Sequence, residues 1–420
     1  MGKINSRAVA AGILLRWFRT AEFPDRLLDG AAEDRAFVME LVYGAVKWTR
    51  ALGWFAGRLA SRAPRPELRA LLDIGLYQIL LLDSVAPHAA VNETVEAAKL
   101  KLGARDAGFI NALLRSALRR RGELLDELGK QPMAVRMSHP DALVERWSRA
   151  HGSEGAGRIC LWNNSRPSVV LRVNTPRIGF EALRMRLGEA GIAAAPHPAA
   201  PGECLVLPRG VRLESAPGYI EGWFAVLDPS TLAAVELLDP RPGELVLDAC
   251  AAPGGKTFLI AARMRGLGRI VASDLHEDRM GRLRSNIERL GLENVTVARA
   301  DASAPEPGWG GPFDAILLDA PCTNAGVLRR RPDARWRFSN SRLAVRVKTQ
   351  SAILGRAASS LKPGGRLVYS TCSLEPEENE GVIQDFLERR PEFREARRMV
   401  SVPPEHDMDG AFAALLIRGG

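Results

Sequence analysis

The chain has 420 residues, 46% of them hydrophobic, which is enough for two or three domains with cores of their own and excludes a disordered or fibrous protein. Its 58 Lys and Arg against 49 Asp and Glu give a formal charge of +9; this favours a polyanionic partner and is equally compatible with a merely basic surface. Five widely spread cysteines, with no CxxC pair and no histidine cluster, argue against a disulfide framework or a metal site and for a reducing, cytoplasmic setting.

The N-terminal stretch MGKINS matches a short acylation pattern, but Ser6 serves equally well as the cap of the first helix, and no lipid anchor is expected. From residue 1 to about 135 apolar residues recur at helical spacing, as in Ala8, Ile13, Leu14 and Trp17, with no alternating strand pattern. This predicts an all-α domain. The longest apolar run, IGLYQILLL, is bracketed by Asp73 and Asp83 and is too short to span a bilayer, so no membrane association is expected. The domain carries 20 Lys and Arg against 15 Asp and Glu over residues 1–130 and closes on Arg119, Arg120 and Arg121, either a solvated face or a surface for an RNA backbone.

From residue 136 to about 235 short alternating runs, VVLRVN and CLVLP, are separated by turn residues around Pro196–Gly202, which predicts a small α/β module. After Gly243 buried-strand runs (ELVLDA, RIVASD, VTVAR, FDAILLD, GRLVYST) alternate with amphipathic helices. One of these, residues 277–290, carries Met280, Leu283, Ile287 and Leu290 on one face and stops at Gly291. That order predicts a third domain, 236–420, with a parallel sheet covered on both faces and ligands at the carboxyl ends of its strands.

The first of these strands ends in DACAAPGGKT, whose small residues and glycines let a backbone approach a ligand and expose helix N–H groups. A P-loop needs glycine where this chain has Cys250, and the GxGxxG dinucleotide fingerprint is absent. Asp274, closing the second strand, is placed to bind ribose hydroxyls, and Asp301, after the third, to reach an adenine edge. The loop therefore favours S-adenosylmethionine over NAD. Strands four and five end in Cys322 and Cys372, two thiols at one edge beside that loop. Carbon 5 of cytosine is too poor a nucleophile to attack a methyl sulfonium. A thiolate added at carbon 6 creates an enamine that can, and a second group must then assist loss of the carbon 5 proton.

LDACAAPGGKT, LLDAPC and YSTCS, in that order, resemble the motifs of the Nop2/Sun/Fmu type RNA cytosine-5 methyltransferases, and the likeness runs from about residue 140 to the closing DGAFAALLIR. VYGAVKW, IGLYQILLL, PHAAVNETVEAAK and FINALLR are similar to NusB-like RNA-binding domains. The resemblance implies an all-α NusB-like domain (1–135), a small α/β RNA-binding module (136–235) and a Rossmann-like methyltransferase domain (236–420). It also implies a monomer acting in ribosome biogenesis on 16S ribosomal RNA, naked or in a small-subunit precursor.

It further implies that Cys372 is the nucleophile and Cys322 the group that helps release product. Cys250, Ala251, Ala252, Pro253, Gly254, Gly255, Lys256, Asp274, Asp301 and Asp319 would contact S-adenosylmethionine, with Asp319 also reaching the cytosine ring. The family usually has Ser-Gly-x-Gly after the Pro-Cys pair, whereas this chain has Thr323, Asn324, Ala325 and Gly326, and Leu227 stands where a Gln is usual.

The stretch RRRPDARWR follows directly; Arg329, Arg330, Arg331 and Arg335 would meet phosphates and Trp336 stack on a base, or else they form a solvated arginine face with a core Trp. The glutamates after Cys372 (Glu375, Glu377, Glu378, Glu380, Glu388) are expected to favour the next helix N-terminus, with no catalytic role. A dehydrogenase leaves the paired cysteines unexplained, and a non-catalytic RNA-binding factor would be expected to have lost a thiol or the glycine loop.

Overall fold

The computed structural model describes residues 5–20, 22, 24–27, 34–304 and 308–420, with side chains 25 and 26 outside that description. Met1–Ile4, which begin the acylation pattern, lie outside the described residues. The chain forms two compact units, residues 1–164 with 331–337, and residues 165–330 with 338–420. The expected boundary near residue 135 falls inside the first.

The first unit is helical throughout. Asn5, not Ser6, caps its opening helix Ser6–Thr20: the Asn5 Oδ1 accepts the N–H groups of Arg7 (2.9 Å) and Ala8 (3.1 Å), while the Ser6 hydroxyl donates to Asp34. The central helix, Pro66–Leu80, starts on a proline at its first position and is buried over its whole length from Ala70, which is where the apolar run IGLYQILLL goes. Gly44 and Gly75 have no room for a side chain against Tyr77 and Leu114, so neighbouring helices approach closely there. Of the closing arginines, Arg120 pairs with Glu123 and Arg121 donates to the Ile79 carbonyl. No described helix is long and apolar enough to cross a membrane.

The second unit contains two sheets. The smaller comprises β1 (Val170–Val173), β2 (Ala195–His197), β3 (Ala200–Val206) and β4 (Phe224–Val226), in the antiparallel order β2-β3-β1-β4. The turn expected around Pro196–Gly202 is mostly strand, and only residues 198–199 reverse the chain.

The larger sheet comprises β5 (Leu245–Ala249), β6 (Arg269–Asp274), β7 (Val295–Arg299), β8 (Phe313–Asp319), β9 (Leu361–Thr371), β10 (Phe393–Ser401) and β11 (Ala411–Arg418), in the order β10-β11-β9-β8-β5-β6-β7. β5 to β9 run parallel, and β11 pairs antiparallel with both β9 and β10, so the sheet is mixed rather than purely parallel. Alternate residues feed opposite faces. Val246, Leu317 and Val368 pack under the helices Leu232–Leu238 and Gly255–Arg263, while Leu247, Ile316 and Tyr369 meet the helices Asn340–Ser359 and Glu380–Arg389. The helix Glu277–Leu290 ends on Gly291 in the left-handed region, as its sequence predicts. Strand order reverses between β5 and β8. The crevice outside their carboxyl ends is the topological switch point, and both motif loops open there.

Candidate active site

The loop after β5 is held by its own backbone and by β6. The Ala251 N–H donates to the Ser273 carbonyl (2.8 Å) and the Ala252 N–H to Asp274 Oδ2 (3.2 Å), with Asp274 buried at the strand end. Its other oxygen accepts the His276 N–H at 3.1 Å. Asn286 donates to the Pro253 carbonyl (2.9 Å). Gly254 sits at φ 104°, and a Cβ there would lie 2.8 Å from Leu283, so both conformation and space demand glycine. Gly255 begins the following helix, whose free N–H groups face the loop. Burial pushes the Cys250 thiol up, which makes it a packing residue of the loop rather than a nucleophile.

Carboxylates surround this loop. Asp248, fully buried, accepts the Thr257 hydroxyl at 2.6 Å through Oδ2 and leaves Oδ1 with no hydrogen-bond partner. Burial chiefly, then the neighbouring Asp319 and Asp274 charges, push it up to about 7 against the opposing bond from Thr257. Lys256 Nζ lies 2.7 Å from Asp319 Oδ1; burial opposes its charge, but Asp319, Cys372 and Asp248 outweigh that and hold its pKa high. Two of the three acids are paired, Asp319 with Lys256 and Asp274 with Arg279 (3.4 Å), so the loop's charges are largely balanced and neither its lysine nor that arginine is left unpaired for a pyrophosphate. Asp301, after β7, is exposed and bound to its own turn through Ser303, whose N–H and hydroxyl hold its carboxyl below the usual range.

β8 and β9 bring the two thiols together. Asp319 pairs in register with Ser370, and the loops beyond place Cys322 Sγ 3.3 Å from Cys372 Sγ as free thiols. The Cys372 bond to its neighbour, then burial and the nearby Cys372 and Glu378 charges, push the Cys322 thiol well above its ordinary range, so Cys322 is held protonated. Gly326 closes the loop: its N–H donates to the Cys372 carbonyl (2.9 Å), and a Cβ on it would strike Gly410 and that same carbonyl.

Glu378 departs from expectation. It is fully buried, and it accepts the Thr323 N–H and hydroxyl, the Ser373 hydroxyl and the Gln350 amide, so it stitches the Cys322 loop to the Cys372 loop. Glu375 is buried too, and of the glutamates expected at the helix N-terminus only Glu380 lies in the first turn. The signal available in the sequence lay in the small hydroxyl residues Ser373 and Thr323, for which a buried carboxylate is the natural acceptor.

Most of the basic stretch is not a nucleic-acid surface. Arg329 and Arg330 turn inward onto Asp228 and Asp409, with Arg330 Nη2 2.9 Å from Asp228 Oδ2, and anchor the far end of the Cys322 loop. Arg335 is fully buried in the helical unit, donating to the carbonyls of Ser138 (3.1 Å) and Asn163 (3.1 Å) and to Asn164 Oδ1 (2.9 Å); burial lowers its pKa to about 9. Trp336 donates to the Val46 carbonyl at 2.7 Å and packs on the helical core. These four side chains are turned inward onto the protein's own groups. Arg331 alone of the five is exposed. Leu227 packs against the apolar layer under residues 232–238. Among the described residues no His, Cys, Asp or Glu group is arranged to hold a metal.

Comparison with known proteins agrees with this arrangement. A model described as 16S rRNA methyltransferase RsmB/F matches residues 235–417, one for the NusB family residues 4–119, and one for the RsmF/B-like ferredoxin-like domain residues 139–214. The chain is 37% identical over 400 residues to the ribosomal RNA small subunit methyltransferase B of Salmonella paratyphi B, covering 92% of this chain and 91% of that one. This chain belongs to the RsmB/F family of 16S rRNA methyltransferases. Solved structures share its fold: that of PH0851 matches at TM-score 0.81 and 26% identity over 99% of both chains. A methyltransferase homologue from Pyrococcus horikoshii matches at TM-score 0.60 and 31% identity over 68% of this chain and 97% of the other. Within the RsmB/F family frame, the NusB match lies inside the helical unit, and the RsmB/F match covers the large sheet with its thiol pair.

Proposed function

We propose that this chain transfers a methyl group from S-adenosylmethionine to carbon 5 of a cytosine in 16S ribosomal RNA, through a covalent bond between Cys372 and carbon 6 of the ring. The observation that carries the reading is the pair of thiols 3.3 Å apart at the ends of adjacent parallel strands, beside the carboxylate-lined loop. Bound S-adenosylmethionine supplies an electrophilic methyl on a sulfonium. Asp274 would hold its ribose, Asp301 its adenine edge, and residues 250–256 its contacts with the backbone.

The protein's own groups do the remainder. Cys372, the more exposed thiol, attacks carbon 6 as thiolate and makes carbon 5 nucleophilic. Asp319, fixed by Lys256 and by the Ser370 hydroxyl at 3.2 Å, faces the ring edge as the polar partner of the base. Cys322 stays protonated while Cys372 is free, because its neighbour is the chief cause of its raised pKa. Once Cys372 is a neutral thioether, its share of that rise is gone while burial and Glu378 still oppose ionisation; Cys322, its proton passed to solvent, then takes the carbon 5 proton. The carbon 5 electrons then re-form the 5,6 double bond and expel the Cys372 thiolate, leaving 5-methylcytosine. Arg331 and the NusB-like unit would contact the RNA backbone.

Bisulfite sequencing of 16S ribosomal RNA from cells with and without the gene tests the reading. Loss of one protected cytosine in the deletion strain supports it, and an unchanged pattern contradicts it.

A further inference from the structure

Asn324 stands in the left-handed region at φ 62°, a conformation that glycine, asparagine and aspartate adopt readily and that other side chains avoid. Its side chain therefore reaches a place that its backbone neighbours cannot. The carboxamide Nδ2 donates to the Cys322 carbonyl at 3.2 Å, and this fixes the orientation of the amide, with Oδ1 turned to Cys372 Sγ at 3.3 Å. An amide oxygen only accepts, so the Cys372 S–H must donate. The contact between the two sulfurs is then settled as well: Cys372 has spent its proton on Asn324, and the Cys322 S–H donates to Cys372 Sγ.

The loop that carries Asn324 is pinned on both sides. Gly326 bonds the Cys372 carbonyl, and Glu378 holds the Thr323 N–H at 2.9 Å. The amide cannot drift away from the thiol without its side chain turning.

We propose that Asn324 is a positioning residue that latches the attacking thiol in the free enzyme: its carboxamide oxygen holds the Cys372 proton, and the amide must turn aside before Cys372 can ionise and attack. No bond other than hydrogen bonds is made or broken in the latch, and the proton released on opening goes to solvent. The Cys322 S–H, already aimed at Cys372, remains as the donor that stabilises the thiolate once the amide has left. The inference rests on the reading of Cys372 as the nucleophile, and its test uses no RNA, so the two can fail separately.

The test measures the full-length enzyme without RNA or cofactor at one pH near 8. Thiolate absorbance at 240 nm, taken as the difference from a Cys372→Ala blank, reports protonation, and iodoacetamide labelling with peptide mapping reports reactivity at Cys372. Asn324→Gly should raise the thiolate signal and label about fivefold faster, the factor that corresponds to about 1 kcal/mol for a neutral hydrogen bond. Asn324→Asp, the same shape with a negative charge beside the sulfur, should lower the signal and label more slowly than wild type. Both residues suit the backbone conformation, and if the glycine variant does not fold the aspartate variant decides alone. Thiolate signals equal to wild type in the variants that fold, or moved in the same direction by both, overturn the proposal whatever the labelling rates.

Discussion

The Glu378 carboxylate accepts the backbone N–H of Thr323 at 2.9 Å, joining the residue after one thiol to the loop that carries the other. Glu378→Ala strands the Thr323 and Ser373 hydroxyls and the Gln350 amide in a buried site. It should cost about 3–5 kcal/mol of stability, the range for removing one partner of a buried charged network. Glu378→Gln keeps the shape and should cost less, on the order of 1–2 kcal/mol. Methylation should fall far more than stability does in the Gln variant, about a hundredfold, because the sulfurs lose their register. Urea denaturation and single-turnover rates measured side by side check both figures.

Asp274 receives two backbone N–H groups on the cofactor side of the sheet. Asp274→Ala should weaken S-adenosylmethionine binding by roughly 1–3 kcal/mol, the range for leaving buried polar partners unpaired. Calorimetry that finds the affinity unchanged removes Asp274 from the site.

Asp248 gives a pH dependence of definite sign. Its folded pKa of about 7 lies above the value near 4 of an unfolded chain, so the folded state binds this proton more tightly. Stability from this group is full below about pH 4, is lost as pH rises towards 7, and changes no further above that. The loss is about 4 kcal/mol at most. Asp248→Asn should flatten the stability profile across that window and leave the variant the more stable at pH 8. Denaturant midpoints at pH 4.5, 6 and 8 read this directly, and parallel profiles for the two proteins contradict it.

Much of this architecture is legible in the residues, for identifiable reasons. Strands β5, β6, β8 and β9 are largely buried and appear as mainly apolar runs, and the thiols stand out because each follows closely on such a run. β10 is different: Phe393–Ser401 is largely exposed and rich in arginine, so its pairing with β11 has no apolar signature. Glu378 and Arg335 were missed for one reason. A charged residue reads as solvated until the partners that surround it are known, and those partners come from as far as 55 residues away for Glu378 and 288 for Arg335. Asn324 was visible only as a departure from a family pattern, whereas its meaning lies in the geometry of one amide between two thiols.

Arg335 makes the same point in energy. Arg335→Ala leaves the buried carbonyls of Ser138 and Asn163 without their donor, and should destabilise the helical unit by about 1–3 kcal/mol. Because the side chain is buried, the slope of RNA affinity against salt should not change, whereas Arg331→Ala should reduce that slope by about one unit. Thermal melts and binding at three salt concentrations separate the two arginines. A reduced slope for a folded Arg335 variant contradicts its placement.

The central claim assigns different steps to two neighbouring thiols, and one denaturing gel tests it. Each variant is incubated with substrate RNA and S-adenosylmethionine, denatured and resolved. Cys372→Ala should neither methylate nor form an adduct, since the attacking sulfur is gone. Cys322→Ala should attack and methylate once but fail to release, and so run as a slow-migrating protein–RNA complex. An adduct in Cys372→Ala and none in Cys322→Ala would exchange the two roles, and wild-type turnover in both would contradict the covalent mechanism altogether.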